Sequence, residues 1–105
     1  MKIIETTIFT KRLKTFLQDE EYRNLQNELM LNPGKGKIIR ESDGLRKTRW
    51  SIPGRGKSGS VRIIYYWLNK KETILMLLIY SKNEQDDLTS KQLKILKTLV
   101  EKELR

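Results

Sequence analysis

Lys47, Arg49 and Arg62 are the residues whose type and spacing best suit chemistry on an anion. Lys47 and Arg49 stand two apart in a segment of alternating character, and side chains two apart on a strand share a face. Arg62 opens the next β-like run, across a loop of Pro, Gly, Arg, Lys and Ser. Paired strands lie about 5 Å apart, so a hairpin of the right sense gathers the three cations on one sheet face. Cations held this way repel one another until an anion sits among them, and a phosphodiester is such an anion. No carboxylate occurs between residues 45 and 67, where Arg46, Arg55 and Lys57 add to the charge.

The composition narrows the chemistry. The 105 residues include no histidine and no cysteine. A disulfide scaffold, a Cys-ligated zinc site and the usual imidazole acid–base group are therefore excluded. Lys, Arg, Tyr, carboxylates and hydroxyls remain. The net charge is +9, and it is clustered: residues 34–62 hold nine Lys/Arg against Glu41 and Asp43, the rest of the chain 13 against 11. Clustered basicity of this kind points to a polyanion or an acidic protein partner.

The elements that must hold the hairpin follow from periodicity. Ile3 and Ile4 open a short strand, with Ile8 at its end or in the turn after it. Phe9, Leu13, Phe16 and Leu17 recur at helical spacing. Asp19 is placed to cap a second helix, with Glu20 and Glu21 in its first turn, where the dipole favours anions. Tyr22, Leu25 and Leu29 form its apolar stripe, and Asn32-Pro33-Gly34 stops it, giving an αα-hairpin. Residues 37–40 read as a short strand and Ser42-Asp43-Gly44 as a turn. Residues 45–52 and 60–68 are the hairpin strands and 53–59 their loop. After a polar turn at 69–72, residues 73–80 read as a strand covered on both faces. Thr89 and Gln92 have capping-box spacing at the head of a last helix, whose apolar face runs through Leu93, Leu96, Val100 and Leu104. The fold class is α+β: one domain over residues 1–105, a small, mainly antiparallel sheet with an N-terminal helical pair and a C-terminal helix. The longest apolar run, residues 74–80, falls well short of the ~20 residues a spanning helix needs. The N-terminus lacks the apolar run of a signal peptide. The sequence thus reads as a soluble, cytoplasmic protein with no membrane partner.

Three segments in order, Lys47-Thr48-Arg49, Arg62-Ile63-Ile64-Tyr65-Tyr66 and Tyr80-Ser81-Lys82-Asn83-Glu84, resemble the RelE/HigB family of type II toxin–antitoxin ribonucleases. The resemblance spans essentially the whole chain and is closest to the HigB branch. It implies the RelE-like fold and a ribosome-dependent endoribonuclease that cuts mRNA in the decoding site and so inhibits translation. It also implies the ribosome and mRNA as partners, and a cognate, HigA-like, DNA-binding antitoxin. Carried over residue by residue, it makes Lys47, Arg49 and Arg62 catalytic, with Lys82 as the basic residue after the last strand. Asn83 stands where several relatives have arginine, and Leu88 and Thr89 where some place a tyrosine. Such an enzyme needs neither metal nor cofactor. The ribose 2′-OH attacks the adjacent phosphorus, a base takes its proton, and cations stabilise the phosphoryl oxygens. Neighbouring cations favour a neutral lysine, which makes Lys47 and Lys82 the candidate bases; Arg49 and Arg62 suit bidentate phosphate contacts. Lys35, Lys37, Arg46, Arg55 and Lys57 are candidates for gripping RNA or the ribosome, and Trp50 and Tyr66 for stacking on a base.

Blander readings stand beside these. A basic hairpin is also what a solvated face looks like. Trp50, Tyr65, Tyr66 and Trp67 suit sheet packing as well as base stacking, and Tyr22 and Tyr80 read as core. Asp86 and Asp87 read as helix caps, and Glu84 either pairs with a site cation or is exposed. Gly54, Gly56 and Gly59 do not make a nucleotide-binding loop. A ParE-like inhibitor of DNA gyrase, which shares the broad fold, and a non-catalytic RNA-binding module are the alternative functions.

Overall fold

The run Thr73–Ser81 is buried at every position but its last, and the rest of the fold is built to cover it. In the computed structural model, residues 1–52 and 59–104 are described. Most of the sequence-predicted loop, with Arg55 and Lys57, lies outside the described residues. Among those described, the order is β1 (Lys2–Glu5), α1 (Thr7–Phe16), α2 (Asp19–Leu31), β2 (Lys37–Ile38), β3 (Arg46–Ser51), β4 (Ser60–Leu68), β5 (Thr73–Ser81) and α3 (Ser90–Leu104). The strands form one sheet in the order β1-β5-β4-β3-β2. All neighbours are antiparallel except β1, which runs parallel to β5. This is the expected α+β arrangement. No helix among the described residues is long and apolar enough to cross a membrane.

Strand alternation divides the buried side chains between two cores. Val61, Ile63, Tyr65, Ile74, Met76 and Ile79 pack with Phe9, Leu25 and Leu29 of α1 and α2. Ile64, Leu68, Leu75, Leu78 and Tyr80 pack with Leu96 and Val100 of α3. One irregularity makes this division work. The register slips so that Ile64 pairs with Leu78 but Tyr65 with Met76. The bulge leaves Leu77 unpaired and puts both Leu77 and Leu78 in the α3 core.

Four-residue β1 covers only the first part of β5's edge, and side chains satisfy carbonyls beyond it. Thr6 Oγ1 donates to Leu77 O at 2.9 Å and accepts from Phe9 N at 3.0 Å. Arg12 Nε donates to Ile79 O at 2.8 Å, and the Arg12 guanidinium pairs with Glu84. These contacts bear on two expectations. Thr6 caps α1, so Ile8 lies inside the helix and not at the end of β1. Glu84 is exposed, one of the two states expected of it, and its ion pair is with Arg12 of α1, not with a cation of the hairpin.

The remaining differences are small and local. Gln18, not Asp19, is the N-cap of α2, and Glu21 accepts from its backbone N–H at 2.7 Å. Asp19, Glu20 and Glu21 fill the first turn as expected. β2 ends at Ile38, although Ile39 N still donates to Leu45 O at 2.8 Å, and the Ser42 hydroxyl donates to Ile39 O at 2.6 Å in the turn that follows. Thr89 and Gln92 do form the capping box of α3, at 3.0 and 3.1 Å.

The segment leading into β2 is pinned by one buried tyrosine. Tyr65 Oη accepts from Gly36 N and donates to Pro33 O, each at 2.8 Å. A Cβ on Gly36 would lie 2.9 Å from Tyr65 Oη and 3.1 Å from Lys47 O, whereas one on Gly34 would meet nothing closer than 3.9 Å. Gly36→Ala is therefore expected to cost about 1–3 kcal/mol by breaking this pair of hydrogen bonds. Gly34→Ala is expected to stay within about 0.5 kcal/mol of the parent. Urea unfolding of the two variants checks the contrast.

Candidate nucleic-acid interface

Two cross-strand rows define the site. Arg49 lies directly opposite Arg62, and Arg62 directly opposite Tyr80 of β5. Lys47, one pleat along, lies opposite Ile64 on one side and Lys37 of β2 on the other. Opposed residues share a face. Lys37, Lys47, Arg49 and Arg62 therefore all stand on the α3 side of the sheet. Lys37 and Arg49 are exposed, Lys47 and Arg62 half-buried.

The cations differ in what holds them. Arg62 Nη1 donates to Ser60 Oγ at 3.2 Å. Among the described residues, no carboxylate lies within ion-pair distance of Lys37, Arg49 or Arg62. Lys47 Nζ reaches Asp87 Oδ1 at 3.0 Å. Asp87 comes from the connection between β5 and α3, and the same oxygen accepts from Leu88 N at 2.7 Å. The hydrogen bond from Lys47, and then that from the Leu88 N–H, hold the Asp87 carboxyl below its ordinary range. Asp87 is thus more than a helix cap; the capping group of α3 is Thr89.

Tyr80 forms the floor of this face. It is 1% exposed, and its hydroxyl has no hydrogen-bond partner among the described residues. Burial pushes the hydroxyl's pKa up to about 12; the Asp87 charge adds to the rise, and the Arg62 charge opposes it. Both charges therefore act on the same oxygen. The sequence marked Tyr80 as a core position and as the head of one family-like segment, with no role of its own. Its place opposite Arg62 depends on strand register, and its nearness to Asp87 on the path of the following connection.

Other sequence-predicted residues lie elsewhere. Arg46 turns to the α1/α2 side, donates to Gly34 O at 3.2 Å and Gly36 O at 2.8 Å, and stacks 5.9 Å from the Trp67 ring centre. Lys35 pairs with Glu28 at 2.6 Å and sits 5.3 Å from the Trp50 ring centre. Trp50 packs on the α1/α2 core, so its ring meets helices and Lys35. Arg46, Lys35 and Trp50 are therefore on the far side of the sheet from Lys47, Arg49 and Arg62. Tyr66 has the right face but packs in the α3 core against Gly44, where an added Cβ would lie 3.1 Å from its ring. Lys82 is exposed in the turn after β5, beyond the last ladder pair of Val61 with Ser81. It makes no ion pair among the described residues.

Chemically, the face offers two guanidinium groups side by side with a lysine next to them. Guanidinium forks match the oxygens of a phosphate, and Arg49 and Lys37 are exposed on this face. A sequence model described as "RelE toxin of RelE / RelB toxin-antitoxin system" matches residues 1–104. The fold is similar to that of a double arginine-to-alanine mutant of the E. coli toxin RelE in its free state. That likeness has a TM-score of 0.58 at 12% sequence identity, over 81% of this chain and 86% of the other.

The Tyr80 hydroxyl yields a prediction in alkali. An unfolded tyrosine ionises near pH 10, whereas native Tyr80 keeps its proton to about 12. Its contribution to stability is whole below pH 10 and is lost as pH rises from about 10 to 12, a loss of about 2–3 kcal/mol. Tyr80→Phe, with nothing to ionise, is expected to escape that loss. Urea unfolding of both proteins at pH 9 and pH 11.5 measures the difference, and the lysines common to both cancel.

Proposed function

The chain belongs to the RelE toxin family, the toxin half of a toxin–antitoxin system, and from that premise we propose that it is a ribosome-dependent endoribonuclease that cleaves mRNA in the decoding site. The observation that carries this reading is the direct pairing of Arg49 with Arg62, with Lys47 on the same face. In the proposed reaction the scissile phosphate lies across these residues. The ribose 2′-OH attacks phosphorus while a base takes its proton; Lys82 is our assignment for that base, as Lys47 holds the phosphate. The bond to the 5′ oxygen breaks, that oxygen takes up a proton from water, and the charge gathering on the phosphoryl oxygens is met by Arg49 and Arg62. Lys47 exchanges Asp87 for phosphate. Lys37, at the sheet edge beside Lys47, extends the grip along the backbone. The ribosome contributes by holding the message in line for attack. Lys82 is the further basic residue we assign to the site from the strand end, and Arg55 and Lys57 are assigned to ribosomal RNA on charge alone.

No step in this scheme uses a metal or a cofactor. The protein acts in the cytoplasm and is neutralised by a cognate antitoxin, for which a HigA-like, DNA-binding protein is the proposed type. An acidic or apolar segment suits the task, because the uncovered face is cationic.

Brief induction in cells followed by mapping of mRNA 5′ ends tests the proposal. Cuts phased with codons are expected. DNA breaks linked to gyrase would instead identify a ParE-like poison, and bound RNA with unchanged ends a non-catalytic binding module. Arg62→Ala and Lys47→Ala are each expected to lower cleavage about 10²-fold or more, the scale for losing one stabilising donor, and to relieve growth arrest. Their circular dichroism should match the parent, since the Lys47–Asp87 pair is exposed and contributes little to stability. Full toxicity of both variants would refute the site. Cleavage by programmed ribosomes is expected to survive removal of free divalent metal, provided polyamines keep the ribosome assembled.

A further inference from the structure

Tyr80 carries an oxygen that the fold does not use. Its ring fills the α3 core beside Ile64 and Leu78, work that a phenylalanine would do equally well. The hydroxyl is buried and donates to nothing among the described residues. Leaving a buried hydroxyl unpaired is destabilising, and such a group calls for a partner supplied from elsewhere. The other two orphaned donors, the indole nitrogens of Trp50 and Trp67, belong to rings packed on the opposite core, with Lys35 and Arg46 stacked on them. Tyr80 alone of the three lies on the cationic face.

Its neighbours say what the missing partner is. Arg62, directly opposite on β4, only donates hydrogen bonds, so it offers the hydroxyl no acceptor. The charges of Arg62 and Asp87 both reach the hydroxyl. Asp87 is the acceptor anion already at this face, tied to Lys47 at 3.0 Å, and its side chain is 65% exposed. An anion that takes Asp87's place on Lys47 while bound to Arg62 stands beside the residue directly opposite Tyr80 and offers oxygen acceptors on the face where that hydroxyl lies.

Building on the ribonuclease reading, we propose that the Tyr80 hydroxyl is a catalytic hydrogen-bond donor to a non-bridging oxygen of the scissile phosphodiester, acting beside Arg62 once the phosphate has displaced Asp87 from Lys47. The hydroxyl keeps its proton throughout; no bond to tyrosine forms or breaks. Its high pKa fits this role, since a phenol that stays neutral can donate to an anion at any pH at which the ribosome works.

The test compares wild type with Tyr80→Phe on ribosomes programmed with an mRNA bearing an ordinary scissile phosphate, or one with a single non-bridging oxygen replaced by sulfur in either stereoisomer. Tyr80→Phe is expected to melt no lower than wild type and to cleave about 10²-fold more slowly. Wild type is expected to be slowed by one of the two sulfur isomers, and the variant to lose that stereoselectivity. A merely structural hydroxyl would not produce that loss. Cleavage by a folded Tyr80→Phe at the wild-type rate overturns the proposal and leaves the ribonuclease reading standing. A slow variant with unchanged sulfur selectivity also overturns it, by placing the hydroxyl away from the phosphoryl oxygens. Failure of wild type itself to cut overturns both.

Discussion

Two arginines face each other across adjacent strands, Arg49 on β3 and Arg62 on β4, and the rest of the structure must hold that unfavourable pair in place. Like charges directly opposite in a sheet destabilise it. Two unit charges 4 Å apart in water repel by about 1 kcal/mol, and by more where solvent is excluded. The sheet tolerates this because both of its faces are anchored by apolar burial that has no dependence on charge. Tyr65 and Ile63 are fully buried on one side and Ile64 on the other, all on the strand that carries Arg62. Each such side chain contributes on the order of 1.5–3 kcal/mol. Stability made in the two cores maintains, near the start of β4, an arrangement that a bound anion would relieve.

The same residue types do opposite work on the two faces. Arg46 and Lys35 are satisfied within the protein: Arg46 by the carbonyls of Gly34 and Gly36, Lys35 by Glu28, and both by stacking on tryptophan. They tie the segment before β2 to the sheet. Lys47 and Arg49, the residues flanking Thr48 on the same strand, point to the α3 side, where Asp87 is the carboxylate paired with Lys47. A net charge of +9 is therefore a poor guide to where nucleic acid would bind. The useful distinction is between cations whose donors are already taken and cations whose donors are open.

Much of this was legible in local pattern, and the reasons for the remainder are specific. Alternation along β3 and β4 placed Lys47, Arg49 and Arg62 on one face, because strand geometry has a strict period of two. The bounds of β4 and the capping box of α3 followed from residue type alone. Pattern did not say which of the two faces meets α1 and α2, so Trp50 and Arg46 were read toward RNA, whereas Trp50 packs on the α1/α2 core and Arg46 is held by the Gly34 and Gly36 carbonyls and Trp67. The bulge at Leu77 was hidden because every residue around it is apolar. Ile8 was displaced into α1 by a cap at Thr6 that also serves the carbonyl of Leu77, seventy-one positions away in the chain. Tyr80 and Asp87 were each visible, as a core aromatic and a helix cap. Their convergence needed the register of β5 and the path into α3, neither of which a local pattern contains.

On the proposed reading, that convergence gives Lys47 two competing partners. Asp87 is near, on the same chain, and held below its ordinary pKa by the very hydrogen bond it forms; a phosphodiester must displace it. An exposed ion pair of this kind is worth little, typically under about 1 kcal/mol, so the exchange is nearly balanced before Arg49 and Arg62 are counted. They decide it. A carboxylate carried on the β5–α3 connection satisfies Lys47 alone, whereas a phosphate bound as proposed would be shared by three cations. The carboxylate thus holds Lys47 in a defined place while the site is empty, at small cost to binding. The asymmetry between one cation satisfied by Asp87 and three by phosphate favours the polyanion over the protein's own side chain.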